Sequence, residues 1–328
     1  AICSILCIVF EMRFRKSLEK NFERINLFFS LILLSFSLSG IYYFTHNKMV
    51  IELPKRGGKV VDYFTTQYNF SSIFDIRVKD KDVRLIANGF SVMNKSNLGN
   101  FVFDYIDFFN NFYEKKEKKN NVLFLGNAAG SFIAGIINNC AKEKEECNFK
   151  FDVVEIDKKY TEIGEKYFGF PINDKRINFY YEDARTFINK NSGVKKYDLI
   201  FFDIFTAGSI YIPYYLMTRE VFENLYLMTD TDGIVLINIV GSRIPGTKQK
   251  QYVNQFYTQV KSAFPQVILY NNDERNDYLT NYIVAAYKNP DSKTSKEIKE
   301  KLKIYEVEDI EEVPVIFTDK FSPVEKFM

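Results

Sequence analysis

Past its first third, the chain alternates short apolar runs with longer stretches of mixed polarity. Strand candidates are Val122–Leu125, Phe151–Ile156, Ile177–Tyr181, Leu199–Phe202, Ile234–Val240, Val267–Tyr270 and Tyr282–Ala286, with helical stretches between the earlier ones. Several are almost continuously apolar, the pattern of strands in a parallel sheet covered on both faces. The last two follow closely, on either side of Asn271–Asn281, which predicts an antiparallel hairpin at one edge. Upstream, Val60 to Val92 reads as a small antiparallel unit, with Ser72–Val78 and Val83–Ala87 as strands and Asn88-Gly89 as a turn. Phe101 to Tyr113 has apolar residues at helical spacing and ends in the charged run Glu114–Lys119.

The two ends differ from this core. The chain opens on Ala1 in an apolar run through Phe10, so it reads as a fragment of something longer. A basic stretch follows, and then Leu27–Phe44 carries no charge. About 18 such residues suffice for a transmembrane helix. Lys and Arg flank both ends of this run, so charge does not set its orientation. After Pro290, Asp291–Glu312 is highly charged and reads as a solvated helix or linker before an apolar tail. The expected organisation is a membrane segment over 1–50, a small β domain over 51–100, a Rossmann-like domain over 101–290, and a charged linker with tail over 291–328.

Composition removes several kinds of chemistry. The 328 residues carry 44 basic and 42 acidic side chains, so no basic patch points to nucleic acid. The single histidine, His46, adjoins the membrane segment, which makes a Ser-His-Asp triad or a histidine-rich metal site improbable. Cys3, Cys7, Cys140 and Cys147 have neither zinc-ligand nor disulfide-framework spacing. No metal is expected, and the chemistry falls to carboxylates, hydroxyls, amides and backbone.

Three junctions supply candidates. After the first strand of the α/β region, Gly126-Asn127-Ala128-Ala129-Gly130 is a tight turn of small residues that lets backbone approach a ligand. The second strand leads to Glu155 and Asp157. Glu155 is the candidate for ribose hydroxyls, because a carboxylate offers two acceptor oxygens, and Asp157 reads as a helix cap. The third leads to Asp183-Ala184, where Asp183 could accept from an adenine amine. Together these predict a nucleoside cleft at the carboxyl edge of the sheet. NAD competes as the ligand. The incomplete glycine pattern disfavours it, and by analogy the seven-strand order is closer to S-adenosylmethionine-type methyltransferases.

The fourth strand ends Phe201-Phe202-Asp203. Ile212-Pro213-Tyr214-Tyr215-Leu216-Met217-Thr218-Arg219-Glu220-Val221-Phe222 follows, then Asp232-Gly233-Ile234-Val235-Leu236-Ile237-Asn238. With the tail Phe317-Thr318-Asp319-Lys320-Phe321-Ser322-Pro323-Val324-Glu325, this succession resembles the spermidine synthase (polyamine aminopropyltransferase) family, particularly its membrane-fused bacterial branch. The resemblance runs from about Tyr63 to Met328. It implies a Rossmann-like, methyltransferase-type seven-stranded sheet after a small β domain. It also implies aminopropyl transfer from decarboxylated S-adenosylmethionine to a polyamine, with Asp203 as general base. Gly126, Gly130, Glu155, Asp183 and Ala184 would hold the nucleotide, and Tyr68, Asn69 and Thr206 would lie toward the amine. A homodimer is implied as well. A membrane-anchored protein with its catalytic domain in the cytoplasm follows from where the nucleotide is found.

Some positions depart from the family pattern. The second loop carboxylate is replaced by Thr206, and the acidic acceptor-binding stretch falls on Asn97-Leu98-Gly99-Asn100, which carries no charge. Loss of such anionic contacts weakens attraction for a polycation. Two other readings therefore stay open: methyl transfer from S-adenosylmethionine, and a non-catalytic protein that has lost its amine site.

Overall fold

The computed structural model describes residues 35, 59–68, 70–75, 83–87, 90–95, 120–130, 132–137, 148–205, 209–271 and 279–321. The chain divides into two compact units, Ala1–Val60 and Val61–Met328. The predicted span Leu27–Phe44 lies outside the described residues apart from helical Ser35. Among the described residues no helix is long and apolar enough to cross a membrane. The predicted helix Phe101–Tyr113 also lies outside them.

Four strands form the small sheet in the order β1-β2-β3-β4: β1 Lys59–Thr65, β2 Phe70–Asp75, β3 Val83–Ala87 and β4 Phe90–Lys95. β2/β3 and β3/β4 pair antiparallel, and a register shift falls between Leu85 and Ile86.

The main sheet has seven strands: β5 Asn120–Leu125, β6 Phe149–Val154, β7 Ile177–Tyr180, β8 Tyr197–Phe202, β9 Thr229–Gly241, β10 Gln266–Tyr270 and β11 Thr280–Tyr287. Their order is β10-β11-β9-β8-β5-β6-β7. The five strands β7, β6, β5, β8 and β9 run parallel, and β11 is antiparallel to both β9 and β10. All seven predicted strands are present, and the closing hairpin lies at the edge as its short connection predicts.

The apolar runs map onto coverage. Val122–Leu125 and Leu199–Phe202 are buried throughout, because these central strands have core on both faces. One core layer gathers Leu125, Phe202 and Ile237 with helix residues Val221, Phe222 and Phe256; the other gathers Phe124, Phe201 and Leu236 with Phe132 and Ile133. The helices that supply them are α1 (residues 132–137), α4 Arg219–Met228 and α5 Lys248–Lys261, with α2 Lys158–Ile163 and α3 Ala184–Asn191 lying between strands. The charged segment after Pro290 contains α6 Lys293–Leu302, whose inward face buries Ile298 and Leu302.

Because β5, β6, β7 and β8 are parallel neighbours, their exit loops collect along one edge. The chain reverses strand order between β5 and β8, the place where open α/β sheets leave a crevice.

Candidate active site at the strand exits

The site begins with the turn after β5. Gly126 has φ +81°, and a Cβ built there would lie 2.3 Å from the backbone oxygen of Asp203 and 2.8 Å from Ile204 Cγ1. Only glycine tolerates both the left-handed conformation and that approach. Two backbone bonds stitch the turn to its neighbours: Gly126 N–H donates to Val154 (3.0 Å), and Asp203 N–H donates to Leu125 (2.9 Å). Gly130 has a different use. Its φ is +72°, and a Cβ there would meet the Phe170 ring at 2.4 Å, so the missing side chain lets helix α1 start against a core aromatic.

Glu155 stands one residue beyond β6 and is buried. Its Oε2 accepts from the backbone N–H of Asn127 (3.1 Å) and Ala128 (3.0 Å), and its Oε1 accepts from Asp157 N–H (3.0 Å). A carboxylate has about four lone-pair directions, so about one remains for a ligand hydroxyl. The side chain thus cradles the turn, and it holds Ala128 at φ +45°. Burial pushes the carboxyl above the usual carboxylate range, against the pull of the three amides. Beside it, Ile156 is an exposed apolar side chain at the strand tip.

Asp157 is the predicted cap. It is the N-cap of α2 and accepts from Lys159 N–H at 3.1 Å. Its other oxygen accepts from Thr66 Oγ1 at 2.6 Å, which ties the residue after β1 to the strand-exit edge. Asp62 adds hydrogen bonds from Lys166 (2.9 Å) and Tyr167 (2.6 Å), and Phe64 meets the edge of Tyr160. Exposed Tyr68 follows, its N–H donating to Thr66 Oγ1 at 3.2 Å. Asn69 and Thr206 lie outside the described residues.

Asp183 is the N-cap of α3 and accepts from Thr186 N–H at 3.0 Å, with Ala184 buried behind it. Its Oδ2 accepts from the Tyr215 hydroxyl at 3.0 Å. Partial burial and the adjoining carboxylate push the Tyr215 phenol up to about 12, so it stays a donor at neutral pH. Asp203 sits at the tip of β8, where its Oδ1 accepts from Asn238 Nδ2 at 2.9 Å. Asn238 is buried on β9, and its Oδ1 has no partner among the described residues. A carboxylate can only accept, which fixes the amide with nitrogen toward Asp203 and oxygen away.

The structure therefore brings Gly126, Glu155, Asp183, Ala184 and Asp203 to one edge, in the lateral order Asp203, Gly126, Glu155, Asp183. Three strand spacings separate the outer carboxylates, about 14 Å at the usual inter-strand distance. Reasoning from sequence missed Tyr215, Asn238 and the orphan amide of Asn127, whose buried Nδ2 has no partner among the described residues. Their only signal was position: Asn238 ends an apolar strand beside the one that carries Asp203. Among the described residues no group of three or more His, Cys, Asp or Glu could hold a metal ion.

No family model matches the chain. Over 90 residues it is 39% identical to the polyamine aminopropyltransferase of Vibrio vulnificus (strain CMCP6), a match covering 26% of this chain and 28% of that protein. The chain thus aligns with less than a third of that relative's length. Among solved structures, a probable spermidine synthase from Corynebacterium glutamicum ATCC 13032 superposes with a TM-score of 0.58 at 15% identity, covering 74% of this chain and 87% of the other. A spermidine synthase in complex with the transition-state analogue AdoDATO gives 0.53 at 15% identity, covering 82% and 84%. At such identities the superpositions speak for the fold, and the matched segment speaks for ancestry. The chain thus has the fold of the spermidine synthases and, over that matched segment, resembles the polyamine aminopropyltransferases.

Proposed function

We propose that this chain transfers an aminopropyl group from decarboxylated S-adenosylmethionine to a small amine. The observation that carries the reading is the row of Glu155, Asp183 and Asp203 at the exits of parallel strands around a glycine turn. Glu155 would accept from a ribose hydroxyl, Asp183 from the adenine amine, and Ile156 would lie against the base. The sulfonium end then falls toward Asp203. A relative's structure holds the analogue AdoDATO, which is consistent with a nucleoside in the equivalent edge here.

The chemistry needs one carboxylate in the right place. An alkyl amine has a pKa near 10.4 and is mostly protonated at neutral pH. Asp203 attracts the ammonium and accepts one proton. The freed nitrogen lone pair attacks the carbon beside the sulfonium, the C–S bond breaks, and its electron pair neutralises the sulfur as methylthioadenosine leaves. Asn238 anchors Asp203 Oδ1, which holds the carboxylate in place at the strand tip. Positioned proton transfer of this kind contributes about 10²–10⁴ in rate.

The test is calorimetry with methylthioadenosine, followed by mass analysis of products formed from putrescine or spermidine and decarboxylated S-adenosylmethionine. Binding together with an aminopropylated product is expected. Methylated product from S-adenosylmethionine would instead favour methyl transfer, and nucleoside binding without either product would favour the non-catalytic reading. Asp203→Asn should bind methylthioadenosine like the unaltered protein yet lose about 10²–10⁴ in turnover.

A further inference from the structure

The tail motif around Asp319 resembles the family's C-terminal signature, and the structure ties it to the nucleotide edge through a continuous chain of hydrogen bonds. Residues 318–321 close a tight turn, with Thr318 N–H on Phe321 (2.8 Å) and Phe321 N–H on Thr318 (3.0 Å). The preceding residue, Phe317, is fully buried in the core layer beneath α4. Gln259 grips it from α5, its Oε1 accepting Phe317 N–H at 2.7 Å. Gln255 and Gln259 also donate to the Val315 carbonyl, at 2.7 and 2.9 Å. The tail is therefore held in register along α5 by buried amides, which satisfy backbone groups that would otherwise be costly.

The tail then completes the start of α4. A helix leaves its first N–H groups without intrahelical acceptors, and the Phe317 carbonyl accepts the one from Arg219 at 2.9 Å. Thr218 occupies the N-cap position but makes no capping bond. Its hydroxyl donates to Asp319 Oδ1 at 2.7 Å and accepts from Arg185 Nη1 at 2.8 Å. Asp319 Oδ2 accepts from Arg185 Nη2 at 2.5 Å, while Asp319 N–H donates to Glu220 at 3.1 Å. Arg185 lies two residues beyond Asp183, in the first turn of α3. Its Nη1 also donates to the carbonyl of Tyr215 at 3.0 Å, and Tyr215 turns its hydroxyl onto Asp183. One guanidinium thus fastens the tail, the α4 cap and the Tyr215 backbone together.

We infer that Asp319 is a positioning residue for the nucleotide site. It locks Arg185, Arg185 locks the Tyr215 main chain, and Tyr215 presents its hydroxyl to the carboxylate proposed for the adenine end. Asp319 touches no part of the reacting centre, so its effect falls on nucleotide affinity and leaves the proton-transfer step alone. The inference rests on the proposed nucleotide site, although the coupling itself can be read without a ligand.

The experiment uses the full chain with Asp319→Asn, Tyr215→Phe and the double variant. Hydrogen exchange without nucleotide should show faster opening of residues 183–187 in Asp319→Asn, with α5 unchanged. Methylthioadenosine should bind about three- to tenfold more weakly to each single variant, the usual size of losing one pre-ordered side chain. The double variant should be no weaker than the worse single, because both break one chain of contacts. In turnover the nucleotide KM rises while kcat holds, and Asp319→Glu restores most of the affinity. Unchanged exchange at 183–187, or losses that multiply in the double variant, would overturn the inference. If the unaltered protein binds no methylthioadenosine, the functional reading fails, while the exchange result still decides whether Asp319 controls Tyr215.

Discussion

Gly126 is where fold and site press hardest on each other, and Gly126→Ala separates two costs that usually come mixed. The first is conformational. At φ +81° an alanine sits in the left-handed region, which costs about 1–2 kcal/mol. The second is contact. The new methyl would lie 2.3 Å from the Asp203 carbonyl oxygen, over 1 Å inside ordinary van der Waals separation, and 2.8 Å from Ile204. Relieving that overlap means moving the backbone at the β8 exit, and comparable overpacking costs about 1–3 kcal/mol. The expected destabilisation is then about 2–5 kcal/mol, a large share of the roughly 5–15 kcal/mol available to a domain. Gly246 provides the control: its φ is +78°, but nothing lies within 4 Å of a Cβ built there, so Gly246→Ala meets the conformational cost alone. Urea denaturation of the three proteins, with slopes compared to check that the unfolded state is unchanged, yields both costs by subtraction. Gly126→Ala should fall below Gly246→Ala by about 1–3 kcal/mol. It should also lose roughly 10²-fold in turnover, because a shift of about 1 Å misplaces Asp203, the proposed base. Equal midpoints for the two variants would refute the claim that the β5 turn is wedged against β8.

Three further outcomes follow from other contacts. Glu155→Gln keeps at most two of three amide acceptances, which removes a charge-assisted bond of about 1.5–3 kcal/mol. Burial raises the Glu155 pKa in the folded state, so its contribution is full below the unfolded value and fades as pH rises through the folded one. Denaturation midpoints across the acid-to-neutral range should therefore show the unaltered protein losing ground to Glu155→Gln with rising pH, and an opposite slope would refute the assignment. Asn238→Leu removes a donor on Asp203 Oδ1 together with a buried oxygen that has no partner among the described residues; turnover should fall at least about tenfold with nucleotide affinity retained and thermal stability within about 1 kcal/mol. Phe317→Ala should cost about 3–5 kcal/mol by denaturation, since a fully buried ring leaves a cavity under α4, and a cost near zero would mean that the tail is not part of the core.

The sequence by itself determined the strands of the main sheet, because strands covered on both faces need nearly every residue apolar, and such runs as Val122–Leu125 and Leu199–Phe202 are visible without any partner. It likewise determined the Asp157 cap, a local matter of one side chain and the turn that follows. The carboxylates at 155, 183 and 203 were legible as positions, since each follows a strand directly or by a few residues. What those carboxylates touch was decided only in three dimensions. Glu155 spends most of its lone pairs on the turn after β5, an arrangement set by β5 and β6 being parallel neighbours. Asn238 meets Asp203 because β8 and β9 pair in a register that no local pattern reveals. The link from Asp319 to Arg185 spans 134 positions, and hydrogen bonds of that kind depend on direction and distance between segments that meet only when the core layers close. Periodicity records which face of an element avoids water; it carries no information about which distant polar group will complete that element's end.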